Sequence, residues 1–273
     1  MSQPSDTTRP TPSPQPDPRI LHAVQHVAQD GLVILPTDTV YGIGCAAGSA
    51  HAVGRLLAAK GRGRAKPPPV LVADPQDLNA LVENLPQAAS ALITTFWPGP
   101  LTLILDASPT LSWDLGETGG TIAVRMPDHP LTLQLLRAAG PMAVTSANRT
   151  GAPPATSAAE ARAAFSGRVL DHGPGGARSR HGADILLLDG GTTPGPLPST
   201  IVDLSGPRAQ EPVIVREGVI DPRLVHEIAR GPGAPHTGPA DPAEPAHPAE
   251  PAEPLGPSTP GGRGPDAGEG GAA

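Results

Sequence analysis

Four short segments of the chain gather side chains suited to holding small polar or anionic ligands. In Pro36-Thr37-Asp38-Thr39-Val40-Tyr41-Gly42, two hydroxyls, a carboxylate and a phenol follow an apolar run, and open sheets place ligands at strand ends of this kind. The same Thr and Asp groups could instead serve as turn caps for the backbone. Lys60-Gly61-Arg62-Gly63-Arg64-Ala65-Lys66-Pro67 puts four cations on a glycine-containing loop. An anion between them would relieve their repulsion, and guanidinium groups hold phosphate through paired hydrogen bonds. The spacing of a Walker loop is missing, and a solvated basic loop is the alternative. Arg125 ends an apolar run at 121–124, where it could meet a carboxylate or simply close a strand. Thr145-Ser146-Ala147-Asn148-Arg149-Thr150-Gly151 carries small side chains that let backbone N–H groups approach phosphate, or that form an ordinary turn.

These segments need a scaffold that brings strand ends together. Asp17-Pro18 reads as the cap and first residue of a helix, with Ile20, Leu21, Val24 and Val27 as its apolar stripe and Gly31 as its end. Apolar runs predict strands at 32–35, 70–72, 101–105, 121–124, 142–145, 169–170, 185–188, 201–204 and 213–215, with a short segment around 40–43. Ser49, Asp74-Pro75, Ser157 and Asp221-Pro222 open helices, and two more are predicted over 85–96 and 129–138. Strands and helices alternate irregularly. The expected fold class is α/β, a mixed twisted sheet flanked by helices in a single domain over 19–230.

Many of the 38 prolines and 33 glycines sit at the two ends. Residues 1–18 hold six prolines, and 231–273 hold eleven with one large aliphatic, Leu255. Neither end can bury enough apolar surface to offset the entropy of ordering it, so both are expected to be disordered tails. The net charge is −7, and six tail acids against Arg263 account for −5 of it. The remainder carries no bulk nucleic-acid footprint. Residues 51–73 nevertheless contain five cations and no acid, a local patch suited to a small anion. The single cysteine, Cys45, excludes an internal disulfide and reads as a small buried residue. No apolar run reaches the ~18 residues of a membrane span, and no secretory pattern opens the chain, so a cytoplasmic location is expected.

Taken together and in order, the motifs resemble a known family. Pro36-Thr37-Asp38-Thr39-Val40-Tyr41-Gly42, Lys60-Gly61-Arg62 with Lys66-Pro67, Trp97-Pro98-Gly99-Pro100-Leu101-Thr102, Arg125-Met126-Pro127, Ser146-Ala147-Asn148 with Thr150-Gly151, Ser199-Thr200-Ile201-Val202-Asp203 and Arg216-Glu217-Gly218 are similar to those of the YrdC-type threonylcarbamoyl-AMP synthases, over about residues 19–220. The resemblance is to the short bacterial form, the longer form's extra C-terminal domain being replaced here by the tail. Pro67-Pro68-Pro69 stands where relatives have one proline and then leucine, and Thr150 replaces a serine.

The resemblance implies an enzyme that joins L-threonine, bicarbonate or CO2 and ATP into threonylcarbamoyl-adenylate and pyrophosphate, for tRNA modification beside the anticodon. It implies Thr39, Arg125, Thr145 and Ser199 for threonine, with Arg125 on the carboxylate. For ATP it implies Lys60, Arg62, Lys66, Thr121, Ser146, Ala147, Asn148 and Arg216, with a backbone contact from Ala155. A carbamate oxygen would attack the α-phosphate without a protein nucleophile, so positioning and charge would do most of the catalysis, with Lys60 and Arg62 as the catalytic cations. No His/Asp/Glu cluster has metal-ligand spacing, so Mg2+ would arrive on the ATP. The product would pass to a separate threonylcarbamoyl transferase complex. Residues 172–182 form a candidate lid or a solvated linker. Two other readings stay open. One is a double-stranded RNA or tRNA-binding module using the same basic groove, although five aromatics offer few stacking platforms. The other is carbamoyl transfer, whose larger enzymes carry a Cys-rich finger that one cysteine cannot build.

Overall fold

Side-chain caps mark the start of four of the helices among the described residues. The computed structural model describes residues 17–173, 176–178 and 183–231, with the backbone alone at 171–173 and 176–178. The predicted tails, apart from their innermost residues, and most of the candidate lid lie outside the described residues. Helix α1 (Pro18–Ala28) starts where the Asp17 carboxylate accepts the Arg19 N–H. Ser49 Oγ accepts the Ala52 N–H to open α2 (Ala50–Lys60), and Gly61 at φ 63° ends it in the left-handed region that favours glycine. A capping box at Asp74 and Asp77 opens a 3-10 turn that runs into α3 (Leu78–Leu81). α4 (Gln87–Phe96) and α5 (Pro130–Ala139) follow, then α6 (Ala158–Ala164) capped by Ser157 and α7 (Pro222–Arg230) capped by Asp221. Such a cap supplies about 1 kcal/mol by satisfying a backbone donor that lacks a helical partner.

The strands are β1 (Leu32–Leu35), β2 (Gly42–Ala46), β3 (Val70–Leu71), β4 (Leu101–Asp106), β5 (Thr121–Arg125) and β6 (Met142–Ser146). After them come the ribbon strands β7 (Asp171–Gly173) and β8 (Gly176–Arg178), then β9 (Ile185–Leu187), β10 (Thr200–Asp203) and β11 (Val213–Arg216). Nine of them form one sheet in the order β11-β10-β4-β5-β3-β6-β2-β1-β9, with parallel pairs at β1–β9, β4–β10 and β3–β5 and antiparallel pairs elsewhere. The predicted 169–170 strand appears as a single bridge, Val169 to Ile185.

Each face of this sheet has its own core. Along β1, Leu32 and Ile34 point into one apolar cluster with α2 and α4, while Val33 and Leu35 point into the other with α1 and α5. That is the two-residue period of a strand buried on both sides. The second cluster takes residues from β1, β3, β6 and β9 and none from β4, β5, β10 or β11. Helices α1 and α5 therefore roof only half of that face. The other half is left for the site.

Candidate functional site

The unroofed half of the sheet floors a basin of about 630 Å3, within the usual size range for small-molecule sites. Thr102 and Ile104 of β4 and Thr121, Ala123 and Arg125 of β5 face it. Their strand neighbours Leu101, Leu103, Leu105, Ile122 and Val124 belong to the opposite core. The walls are the 37–40 turn, the 62–69 loop, the end of β6 with Thr145 and Ser146, and the β10–β11 hairpin with Ser199 and Arg216. A cis peptide joins Trp97 to Pro98 before β4.

Arg125 is held at three points. Its Nε donates to Gly99 O at 3.0 Å, one terminal nitrogen to Thr39 Oγ1 at 3.2 Å and the other to Asp38 Oδ1 at 2.6 Å. Asp38 Oδ1 also accepts the Asp128 N–H, while its buried Oδ2 has no hydrogen-bond partner among the described residues. Thr37 Oγ1 accepts the N–H groups of Thr39 and Val40 and sits 3.0 Å from Thr39 Oγ1, so the turn aims the Thr39 hydroxyl at the arginine. Burial pulls the Arg125 pKa below its ordinary value, and the Asp38 carboxylate opposes that shift. A fixed, desolvated guanidinium on the basin floor is suited to a carboxylate ligand.

Two further guanidiniums enter the basin from its walls. Arg62 donates to Thr145 Oγ1 at 3.1 Å, and its buried Nε has no partner among the described residues. Arg216 donates to the Ser199 carbonyl at 2.7 and 3.2 Å and to Ser199 Oγ at 3.0 Å, and that hydroxyl also meets Thr102 Oγ1 at 2.9 Å. Burial lowers the pKa of both, and for Arg216 the charges of Arg125 and Arg62 lower it further. Arg216 therefore feels the other two cations, and an anion in the basin would relieve it. Thr121 Oγ1 donates to Thr118 O, and both line the wall. Gly218 keeps the hairpin tight, because a Cβ there would lie 2.4 Å from Pro198 O. Paired hydrogen bonds between Thr200 Oγ1 and Ile220 fasten the same hairpin.

Thr39, Arg62, Thr121, Arg125, Thr145, Ser146, Ser199 and Arg216 are thus brought together in one recess. Lys60, Lys66, Ala147, Asn148 and Ala155 do not line the basin. Lys60 turns inward and its ammonium donates to Ser146 O at 2.5 Å, to Asn148 O and to Asn148 Oδ1 at 3.3 Å. Asn148 also donates to the carbonyls of Arg149 and Ala152. Ala147 N–H and Ala155 O are spent on the Tyr41 backbone. These groups build the turn that carries Ser146. Burial, with the Arg62 charge second, pulls the Lys60 ammonium down to about 8.

The basic run read as one patch at 51–73 is corrected by these partners. Arg55 pairs with Asp184, exposed Arg64 with Asp114, Lys60 is buried and Lys66 points to solvent. Only Arg62 enters the basin, and its companions come from β5 and β11. A basic groove for double-stranded RNA is not supported, because that charge is divided among separate partners. Sequence reasoning gave no particular role to Asp38 or Thr102, although both lie inside quoted motifs. Tyr41 leaves the site and donates to Gly191 O at 2.6 Å. Cys45 is buried, with its thiol pushed up to about 12 by burial. Among the described residues, no three His, Cys, Asp or Glu side chains stand together as a metal site. No helix among them is long and apolar enough to cross a membrane.

Comparison with known proteins bears on this arrangement. The family model Sua5/YciO/YrdC, described as telomere recombination, matches residues 25–218. A Mycobacterium tuberculosis protein provisionally named threonylcarbamoyl-AMP synthase is 41% identical over 209 residues, covering 77% of this chain and 88% of that one. The Bacillus subtilis threonylcarbamoyl-AMP synthase is 41% identical over 165 residues, covering 59% of this chain and 48% of that one. The crystal structure of P. abyssi Sua5 complexed with L-threonine superposes with a TM-score of 0.63 at 34% identity, covering 73% of this chain and 54% of that chain. The chain thus spans about half the length of that Sua5 protein.

Proposed function

The chain belongs to the Sua5/YciO/YrdC family, and from that membership and the basin we propose that it is a threonylcarbamoyl-AMP synthase, joining L-threonine, bicarbonate or CO2 and ATP. The observation that carries this reading is the convergence of Arg62, Arg125 and Arg216 with the hydroxyls of Thr39, Thr145 and Ser199 in one recess. Two chemically different halves can be distinguished. The half around Arg125 offers a pinned guanidinium for a carboxylate and hydroxyls for a small polar amino acid. Its opposite side, with Arg62 and Arg216, offers cations for phosphate oxygens.

In the proposed reaction the neutral threonine amine adds to CO2 and loses a proton to solvent, giving a carbamate. A carbamate oxygen attacks the ATP α-phosphorus, the bond to the bridging oxygen breaks, and pyrophosphate leaves with that electron pair. The protein's part is to align the two anions against their mutual repulsion and to stabilise charge on the phosphate oxygens. Arg62 is the best-placed cation for the second task. Lys60 acts one step back, by holding the Ser146 turn. Mg2+ enters as part of the ATP substrate. A cytoplasmic location and hand-off of the labile product to a transferase acting on tRNA are parts of the same proposal. Incubation with labelled bicarbonate, threonine and Mg-ATP should give threonylcarbamoyl-AMP by mass spectrometry. A well-folded preparation that forms none would remove this reading.

A further inference from the structure

The cations of the phosphate half donate to hydroxyls of the threonine half. Arg62 donates to Thr145 Oγ1, and Arg216 donates to Ser199 Oγ and to its carbonyl. The two contacts come from different elements, the loop after α2 and strand β11, and each joins an arginine to a hydroxyl on or beside its own wall of the basin. Resting there makes physical sense. Three guanidiniums share a desolvated recess, and each takes a hydroxyl oxygen among its acceptors. A phosphate would outcompete a hydroxyl for either arginine, because it offers full charge and paired acceptors.

Resting on the assignment of the two halves made above, we propose that the Arg62–Thr145 and Arg216–Ser199 hydrogen bonds couple the two substrates, so that each binds more tightly when the other is present. ATP alone must break both bonds to draw the arginines to its phosphates. Threonine alone must compete with the same arginines for the Thr145 and Ser199 hydroxyls. When both bind, each bond is broken only once, and the second ligand is spared a cost the first has already met. That saving is a coupling free energy, and it is reciprocal. A net hydrogen bond of ordinary strength corresponds to about three- to tenfold in affinity, so two of them give a coupling of about 10- to 100-fold. Asp38 has no such role, since Arg125 is pinned within the threonine half itself.

The test uses isothermal titration of the full chain with L-threonine, with and without Mg2+ and α,β-methylene-ATP, whose bridging carbon prevents pyrophosphate release. Wild type should bind threonine about 10- to 100-fold more tightly with the nucleotide analogue, and threonine should tighten the analogue by the same factor. Thr145→Val and Ser199→Ala should each reduce the ratio of the two threonine affinities about three- to tenfold, and the double variant should bring it near unity. Thr145→Ser should restore the ratio in the single variant. A hydroxyl that merely touches threonine would weaken both affinities equally and leave the ratio unchanged, and that result would overturn the coupling. So would measurable affinities in wild type with no ratio between them. Absence of any threonine binding would instead bring down the synthase reading together with the coupling.

Discussion

Replacing Asp38 by alanine removes the only carboxylate among the described residues bonded to the Arg125 side chain. The pair is close at 2.6 Å, and its side chains are 7% and 13% exposed, so water screens it little. At an effective dielectric constant of about 20, unit charges about 4 Å apart interact by about 4 kcal/mol. Removing one member of a buried pair leaves the other uncompensated and typically costs about 3–5 kcal/mol. The Asp128 N–H would lose its acceptor as well. For a domain of this size, 1 kcal/mol corresponds to about 2–4 °C in melting temperature, so Asp38→Ala should melt about 6–20 °C lower than wild type. Asp38→Asn keeps an acceptor oxygen and should lose about half as much. Circular dichroism melts would read both. L-Threonine should raise the melting temperature of Asp38→Ala by more than that of wild type, because its carboxylate replaces the missing charge on Arg125. A drop of less than about 2 °C in the alanine variant would refute the reasoning, since the arginine would then have no need of its partner.

The other expectations concern the walls of the basin. Arg62→Ala and Arg216→Ala should each lower kcat/KM for pyrophosphate release by about a hundredfold or more. Arg64→Ala, altering an exposed cation paired with Asp114, should change it less than about twofold; equal losses in all three would contradict the division of the basic loop. Gly218→Ala places a Cβ 2.5 Å from Ser199 C, so it should displace Ser199, raise the threonine KM and cost about 1–3 kcal/mol of stability. Unchanged threonine KM in a stable variant would count against the hairpin's role. Lys60 in the folded chain titrates near 8, below its ordinary 10.5, so above pH 8 the folded state sheds a proton that the unfolded chain keeps. Stability relative to Lys60→Met should therefore rise between about pH 8 and 10.5, by up to about 3 kcal/mol, and thermal melts with a constant difference across that range would contradict the burial of the amine.

Four helix starts were legible because a cap is a local event. Asp17, Ser49, Ser157 and Asp221 each bond a backbone N–H two or three residues away, and the sequence carries both ends of that contact. Most strands were legible for a similar reason, as apolar runs. The eight predicted residues that line the basin were reached through motifs that lie mostly at strand ends, with Arg62 in the loop after α2. The inward turn of Lys60 was not legible, because its acceptors lie 86 and 88 residues away. Nothing local separates an inward ammonium from one facing solvent. The same holds for Arg55 and Arg64, whose partners Asp184 and Asp114 are far off in the chain. A run of like charges in sequence is a weak guide to a patch in space when distant acids can divide it. Which half of the sheet lacks a roof depends on strand order, and strand order is set by long-range pairing.

The most direct test of the synthase reading is pyrophosphate release from Mg-ATP by the purified chain, with threonine and bicarbonate supplied separately and together. The account predicts release that requires both and is nearly abolished in Arg125→Ala when threonine is limiting. Release at the same rate without threonine, or none with both substrates present in a folded protein, would contradict it.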